Sequence, residues 1–237
     1  MKIALFGYGK MGKEIEQIAL QRNHTIVLKI DKENIQNITA KQLQEADVAI
    51  EFSTPDTVIA NIHKCFAANL PIVAGTTGWY DKFEEIKNTC IKNNHALFYA
   101  TNFSLGVNLF FKMNEQLAKM MNSFPDYEVG MQEIHHVHKL DKPSGTAITT
   151  AEKIVAHHTQ KNTWSIENNS GKNLFIDVVR EDEVPGTHTV SYTSSVDEIS
   201  ITHKAFNRKG FALGAVLAAE FIHNKKGVYT MSDLLNL

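Results

Sequence analysis

The sequence is poor in cysteine and has no long apolar run. Its two cysteines, Cys65 and Cys90, are too far apart for a CxxC metal or redox motif. Each falls in an apolar helical pattern, which predicts buried free thiols in a reducing cytoplasm. The most apolar stretch, 211–222, is interrupted by a glycine and a glutamate and is too short to span a bilayer. We therefore expect a cytoplasmic protein that neither enters a membrane nor carries a targeting segment.

Excess charge of one sign is also missing. The net charge is −2, which argues against nucleic acid or an anionic membrane as the main partner. Repeats and low-complexity tracts are absent. A chain of 237 residues is long enough for one large domain or two modest ones.

The first hundred residues alternate between strand and helix patterns. Short apolar runs at 3–6, 25–30, 48–52, 71–74 and 96–99 are separated by segments with helical spacing of apolar residues. This βαβ alternation predicts a parallel sheet covered by helices.

The pattern changes after about residue 103, where strands alternate apolar and polar residues, as half-buried antiparallel strands do. We predict an α/β protein with an N-terminal Rossmann-type parallel-sheet domain and a C-terminal α+β domain whose sheet is mainly antiparallel. The final helix is expected to return to the first domain. The predicted dinucleotide-binding domain therefore comprises residues 1–104 and 208–237. The predicted domain for substrate binding and oligomerisation comprises residues 105–207. The predicted elements of the second half are helices at 106–121, 146–157 and 211–223, and strands at 126–134, 174–179, 187–193 and 198–203.

A glycine-rich loop follows the first predicted strand. Its sequence is Gly7-Tyr8-Gly9-Lys10-Met11-Gly12, and Asp31 closes the second strand 19 residues after Gly12. Gly7 would make the tight turn, Gly9 would let the backbone approach a pyrophosphate, and Gly12 would let the helix pack on the strand. The motif predicts a dinucleotide site, and the alternative is that the glycines serve only the turn.

Two further strand ends support this site, because ligands of open α/β sheets lie beyond the carboxyl ends of the strands. Ordinary loop caps are the alternative. Asp31 should accept hydrogen bonds from the ribose of NADH and repel a 2′-phosphate, whereas Lys32 would attract one. We therefore expect both NADH and NADPH to be used, with NADH favoured. The residues at the two strand ends are Gly75, Thr76, Thr77, Ala100, Thr101, Asn102 and Phe103.

The segment 135–142 crowds three histidines and two lysines together with one aspartate. Buried cations repel one another unless an anion accompanies them, so we expect an acidic ligand to supply that anion. Pro143-Ser144-Gly145-Thr146 follows as a helix N-terminus whose amides favour negative charge. The spacing of four between His135 and Lys139 would place both on one face of a helix or a strand. A structural role and a metal site using His135 and His138 are alternatives; lysine is a rare metal ligand, and we predict no metal.

The run from Glu133 to Ala147, EIHHVHKLDKPSGTA, resembles the signature of the 4-hydroxy-tetrahydrodipicolinate reductases, formerly called dihydrodipicolinate reductases. The resemblance covers nearly the whole chain. The glycine loop, GTTG at 75–78, ATNFS at 100–104, HKA at 203–205 and FALGA at 211–215 match in order and spacing.

The resemblance implies a homotetrameric NAD(P)H-dependent reductase of the diaminopimelate and lysine pathway. It implies that His135 and Lys139 carry the proton chemistry. It also implies that His136, Lys139, Gly145 and Thr146 bind the carboxylates of the substrate; we include Ser144, which opens the same helix.

Two features depart from the family pattern. The connection at 168–172 is short, and 181–183 is acidic beside Arg180; both departures bear on the expected oligomer interface more than on the active site. Within enzymes, the alternative is another two-domain NAD(P)-dependent dehydrogenase of amino or hydroxy acids. Outside enzymes, it is a protein that senses a dinucleotide without turning it over.

Overall fold

The structure is a computed structural model that describes residues 1–167 and 171–237. The strands among them are β1 (Lys2–Phe6), β2 (Thr25–Ile30), β3 (Val48–Glu51), β4 (Ile72–Ala74), β5 (Ala96–Tyr99), β6 (Glu128–His135), β7 (Thr163–Ser165), β8 (Asn173–Arg180), β9 (Thr187–Thr193), β10 (Glu198–Lys204) and β11 (Gly227–Tyr229). The α-helices are α1 (Lys10–Gln21), α2 (Ala40–Leu43), α3 (Pro55–Ala67), α4 (Phe83–Lys92), α5 (Leu105–Met121), α6 (Gly145–Val155), α7 (Lys209–Ile222) and α8 (Met231–Leu235).

The chain divides into two compact units, and the first comprises residues 1–105 and 209–237. Its sheet has six strands in the order β11-β5-β4-β3-β1-β2, and every neighbouring pair is parallel. Strands β3 and β4 are buried along their whole length because helices cover both faces of the sheet. Helices α1 and α7 pack on one face, and α3 and α4 pack on the other.

The second unit comprises residues 106–208 and contains a five-stranded sheet in the order β10-β9-β6-β8-β7. The central strand β6 runs antiparallel to β9 and parallel to β8. Helices α5 and α6 pack their apolar residues on one face of this sheet. Residues on β6 alternate, so that Val129, Met131, Glu133 and His135 are buried. The predicted fold class is confirmed, with the refinement that the second sheet is mixed.

Both cysteines are free and buried, as predicted. Burial raises the pKa of the Cys90 thiol to about 11, so this thiol is unreactive at neutral pH. Within the described residues, none of the helices combines the length and the apolar character that a membrane span requires. The short connection predicted at 168–172 lies partly outside the described residues.

Candidate functional site

The glycine loop connects β1 to α1, and its three glycines have different structural requirements. Gly7 has φ +87°, and a Cβ there would collide with the carbonyl group of Phe52. A Cβ at Gly12 would collide with the carbonyl oxygen of Gly7. In contrast, a Cβ at Gly9 would meet no atom within 4 Å. Packing of the fold therefore explains Gly7 and Gly12 but leaves open space at Gly9, which caps α1.

The remaining predicted cofactor residues lie at the same edge of the first sheet. Gly75–Thr77 follow β4, Ala100–Phe103 follow β5, and Asp31–Lys32 follow β2. Because the strands are parallel, their carboxyl ends meet at one edge, and the structure brings these loops to the glycine loop. A Cβ at Gly75 would strike the ring of Phe52.

Asp31 is anchored in the turn after β2. One of its carboxylate oxygens accepts a hydrogen bond from the Glu33 amide at 2.9 Å, and its own amide donates to Asn34 Oδ1 at 3.0 Å. Lys32 is exposed beside it. The nearby ammonium of Lys29 is already paired with Glu16 at 2.8 Å.

Sequence reasoning missed a buried acid, Glu51, at the carboxyl end of β3. Its Oε1 accepts hydrogen bonds from the amide of Ser53 at 3.1 Å and from Asn61 Nδ2 at 3.2 Å. Burial raises the pKa of Glu51 above its ordinary value. The backbone carbonyl of Glu51 also accepts from the Gly75 amide at 2.8 Å, so this residue holds the loops after β3 and β4 together.

In the second unit, the signature segment spans the end of β6, a loop and the start of α6. Ser144 caps α6, because its hydroxyl accepts a hydrogen bond from the Ala147 amide at 3.1 Å. The loop lies along residues 181–184: the His136 amide donates to the Val184 carbonyl at 2.8 Å. The loop is neither helical nor extended, so the expected placement of His135 and Lys139 by regular spacing is wrong. The two are nevertheless close enough to interact electrostatically.

The expectation that a ligand must supply the anion is also wrong in its premise, because the chain supplies carboxylates of its own. The pairs are Lys139–Asp141 at 2.7 Å, His138–Glu183 at 3.3 Å and Arg180–Glu133 at 3.0 Å. The first two pairs are partly or largely exposed, whereas the third is buried. Only the first two pairs can therefore open to an incoming anion at low cost.

Glu133 is the centre of the buried part. Its side chain is 0% exposed, and its Oε2 accepts from the Ser144 amide at 3.0 Å. Burial alone would raise the pKa of Glu133, but hydrogen bonds from Ser144 and Arg180 outweigh it and hold that pKa below its ordinary value. Glu133 is thus a carboxylate at neutral pH.

Two histidines face this carboxylate and are neutral near pH 7. Burial is the main cause of a lowered pKa for His135, with Lys139 and Arg180 acting in the same direction. Burial also lowers the pKa of His188 to about 3. The two rings meet edge to face with centroids 5.1 Å apart.

Glu133, His135 and His188 have potential metal-ligating atoms within 4.8 Å of one another. Both oxygens of Glu133 already accept hydrogen bonds, from Arg180 and from the Ser144 amide. His138, the other residue weighed for a metal, is 74% exposed and pairs elsewhere. That this site binds no metal stays a prediction.

The start of α6 is open. Gly145 is exposed, and a Cβ there would meet nothing within 4 Å. Among the described residues, Nδ1 of His136 is buried without a hydrogen-bond partner. The Ser144 side chain is occupied by its cap and by His188 Nε2 at 3.1 Å. An anion could therefore reach the exposed start of α6 at Gly145 and, by replacing Asp141, the ammonium of Lys139, and His136 lies in the same loop.

Comparisons with known proteins show the family of the chain. The family model "Dihydrodipicolinate reductase, N-terminus" matches residues 1–103, and "Dihydrodipicolinate reductase, C-terminus" matches residues 106–235. A 4-hydroxy-tetrahydrodipicolinate reductase of Christiangramia forsetii is 49% identical over 236 residues, covering 100% of this chain and 98% of the relative. One of Thermosipho africanus is 35% identical over 240 residues, covering 99% and 98%.

A solved structure, the dipicolinate-bound dihydrodipicolinate reductase from Paenisporosarcina sp. TG-14, has a similar fold. Its TM-score is 0.80 at 23% identity, and 97% of each chain is covered. The two family models together match nearly all of the sequence, and two relatives above 30% identity match it over 98% of their own length. The chain therefore belongs to the dihydrodipicolinate reductase family.

Proposed function

We propose that this chain reduces 4-hydroxy-tetrahydrodipicolinate to tetrahydrodipicolinate with NADH or NADPH, in the biosynthesis of diaminopimelate and lysine. The observation that carries the proposal is full-length identity of 49% to a relative of that name. The first unit would bind the dinucleotide. The second unit would bind the substrate and form the contacts of a homotetramer, and the protein would act in the cytoplasm. Light scattering of the purified protein tests the oligomeric state.

The edge of the first sheet fits a dinucleotide. The first turn of α1 has no acidic side chain and no side-chain cap, so its amides can face a pyrophosphate next to the open space at Gly9. The residues proposed to hold the cofactor are Gly7, Tyr8, Gly9, Lys10, Met11, Gly12, Asp31, Lys32, Gly75, Thr76, Thr77, Ala100, Thr101, Asn102 and Phe103.

A preference for NADH rests on the charges at the end of β2 and in the turn after it. Asp31 has one carboxylate oxygen left for ribose hydroxyls, and Lys29 is neutralised by Glu16. Lys32 would then be the cation near a 2′-phosphate, which allows NADPH to bind less well. A comparison of the two Michaelis constants tests this order, and a strong preference for NADPH would contradict it.

Loss of the 4-hydroxyl group of the substrate as water would give a conjugated cyclic imine, and the bound reduced nicotinamide would supply a hydride to it. The product of that addition is an enamine-like species that needs a proton, and Lys139 is the proposed donor. General acid catalysis of this kind contributes about 10²–10⁴-fold to the rate. His135 is neutral and would orient Lys139 or pass on its proton. His136, Gly145 and Thr146 would bind the carboxylates, with Ser144 fixing the start of α6.

The decisive experiment follows NADH consumption when the substrate is produced in situ by the preceding synthase. Pyridine-2,6-dicarboxylate, a planar dicarboxylate, should compete with the substrate and bind the NADH complex. The solved neighbour was determined with dipicolinate bound, which supports this choice of probe. NADH binding without turnover and without binding of this probe would favour a dinucleotide sensor; turnover of a different acid would favour another dehydrogenase.

A further inference from the structure

Glu133 and Arg180 form a buried ion pair beneath the signature loop, residues 136–144 between β6 and α6. Arg180 Nη2 donates to Glu133 Oε1 at 3.0 Å, and their side chains are 9% and 0% exposed. A buried ion pair is weak evidence for stability, because desolvation of both charges offsets their attraction. The pair therefore calls for a reason other than stability.

Each member of the pair also holds a piece of the loop backbone. Arg180 Nη2 donates to the carbonyl oxygen of Asp141 at 2.6 Å, and Arg180 Nε donates to that of Lys139 at 3.4 Å. Glu133 Oε2 accepts from the amide of Ser144 at 3.0 Å. One ion pair thus fixes both ends of the segment between Lys139 and the start of α6.

We propose that Glu133 and Arg180 are positioning residues that hold Lys139 and the amide end of α6 in the geometry required by the substrate. The proposal rests on the proposed function. It differs from a structural role, because it predicts losses in substrate use that exceed the losses in stability. A misplacement of about 1 Å can cost about 100-fold in rate.

The pair also sets the electrostatic environment of His135 with opposite signs. Glu133 favours the protonated imidazole, whereas Arg180 disfavours it. Removal of each charge in turn should therefore shift the pKa of His135 in opposite directions. The titratable and charged groups facing His135 or its neighbour His188 are Glu133, Lys139, Asp141, Arg180 and His203.

Three variants separate placement from charge. In Glu133→Gln, the pKa of His135 should fall further; in Arg180→Gln, it should rise. In Arg180→Lys the charge stays, so the pKa of His135 should move little, but an ammonium lacks the fork that reaches both carbonyl oxygens. All three should lower kcat/KM for the dicarboxylate substrate by about 100-fold and leave the NADH dissociation constant within about two-fold.

The titration is followed by NMR of the His135 ring, assigned by its loss in His135→Asn. Two variants serve as controls. Glu128→Gln makes the same change at the opposite end of β6, where the carboxylate pairs with Lys161. Ile176→Val lowers stability in the buried core of the same unit. Both should keep wild-type kinetics.

Three results would overturn the proposal. The first is wild-type kcat/KM in the folded Glu133→Gln and Arg180→Lys proteins. The second is an equal loss of kcat/KM in Ile176→Val when its melting temperature matches that of the Glu133 or Arg180 variants. The third is a shift of the His135 pKa in the same direction in both charge-removing variants. If Glu133→Gln does not fold, the kcat/KM values of Arg180→Lys and of the double variant Glu133→Gln/Arg180→Gln test the proposal in its place. If the wild-type protein does not reduce the substrate, the proposed function is refuted. The NMR titration would still test how Glu133 and Arg180 affect the pKa of His135.

Discussion

Replacement of Gly9 by alanine should separate cofactor binding from folding. A Cβ at Gly9 would meet no atom within 4 Å, and its backbone (φ −84°, ψ −152°) is not in the positive-φ region that disfavours alanine. Since alanine is a poorer N-cap residue than glycine, we expect the free energy of unfolding to fall by less than about 1 kcal/mol. The added methyl group would instead occupy the space in front of the α1 amides, where the pyrophosphate is proposed to lie.

The size of the binding loss follows from the contacts that the methyl group would block. A hydrogen bond to a charged group contributes about 1.5–3 kcal/mol. The loss of one such bond from an amide to the phosphate should weaken NADH binding about 10- to 150-fold, because about 1.4 kcal/mol corresponds to a factor of ten. Titration of NADH by calorimetry, beside a thermal melt of the same sample, measures both quantities.

Gly12→Ala is the matched variant in the same loop. A Cβ at Gly12 would lie within 3.0 Å of the Gly7 carbonyl oxygen, so α1 must move away from β1. Overpacking of this kind costs about 1–3 kcal/mol of unfolding free energy. Wild-type NADH affinity in Gly9→Ala would refute the reasoning. A loss of stability in Gly9→Ala as large as that in Gly12→Ala would refute it as well.

Three further changes test other parts of the molecule. Lys139→Ala should lower turnover about 10²–10⁴-fold and leave NADH affinity unchanged; wild-type turnover would remove this lysine from the mechanism. Gly214→Ala should lower the melting temperature, because its Cβ would collide with the Phe103 carbonyl group, whereas Gly210→Ala in the same helix, whose Cβ would lie 3.6 Å from its nearest neighbour, should not. Hydrogen bonds from two lysines lower the pKa of Glu115 to about 2. The ionised Glu115 therefore stabilises the fold above its ordinary pKa, and this effect is lost as the pH falls from about 4.5 towards about 2. In urea unfolding over this range, the free energy of unfolding should fall by up to about 1 kcal/mol more in the wild type than in Glu115→Gln. Equal losses in the two proteins would contradict this.

The parallel sheet of the first unit was predictable because its central strands are buried on both faces. Such strands are continuous apolar runs, and Val48–Glu51 and Ile72–Ala74 lie within the runs predicted at 48–52 and 71–74. Strand β11 was missed, since Gly227–Tyr229 has three half-buried residues and no periodic pattern. It exists because it pairs with β5, a tertiary contact that no local pattern encodes.

The mixed order of the second sheet was less predictable for a related reason. Alternation along β6 shows which face is buried, and it does so correctly for Val129 and Met131. Alternation does not show which strand lies on each side, or in which direction. Met131 is paired with Ile176 on the parallel strand β8 and with Val190 on the antiparallel strand β9.

The same distinction applies to the site. The residues near one another in sequence, from His135 to Thr146, were identified as a chemical cluster from the sequence. The groups that complete the site from other strands were not, because Arg180 pairs with Glu133 from 47 positions away and His188 contacts Ser144 from 44 positions away. One signal was available: Glu133 occupies a buried position in an alternating strand, where an acid requires a partner.

The Lys139–Asp141 and Glu133–Arg180 pairs therefore suit opposite tasks. Asp141 is 56% exposed, so its pair with Lys139 is worth at most about 1 kcal/mol, and a substrate carboxylate can replace it. Burial alone would raise the pKa of Asp141, but the Lys139 hydrogen bond lowers it, so the ammonium keeps an anionic partner until the substrate arrives. Glu133 and Arg180 cannot open in this way, because separating a buried pair leaves an uncompensated charge. A fixed pair below an exchangeable pair lets the loop accept a new anion without losing its geometry.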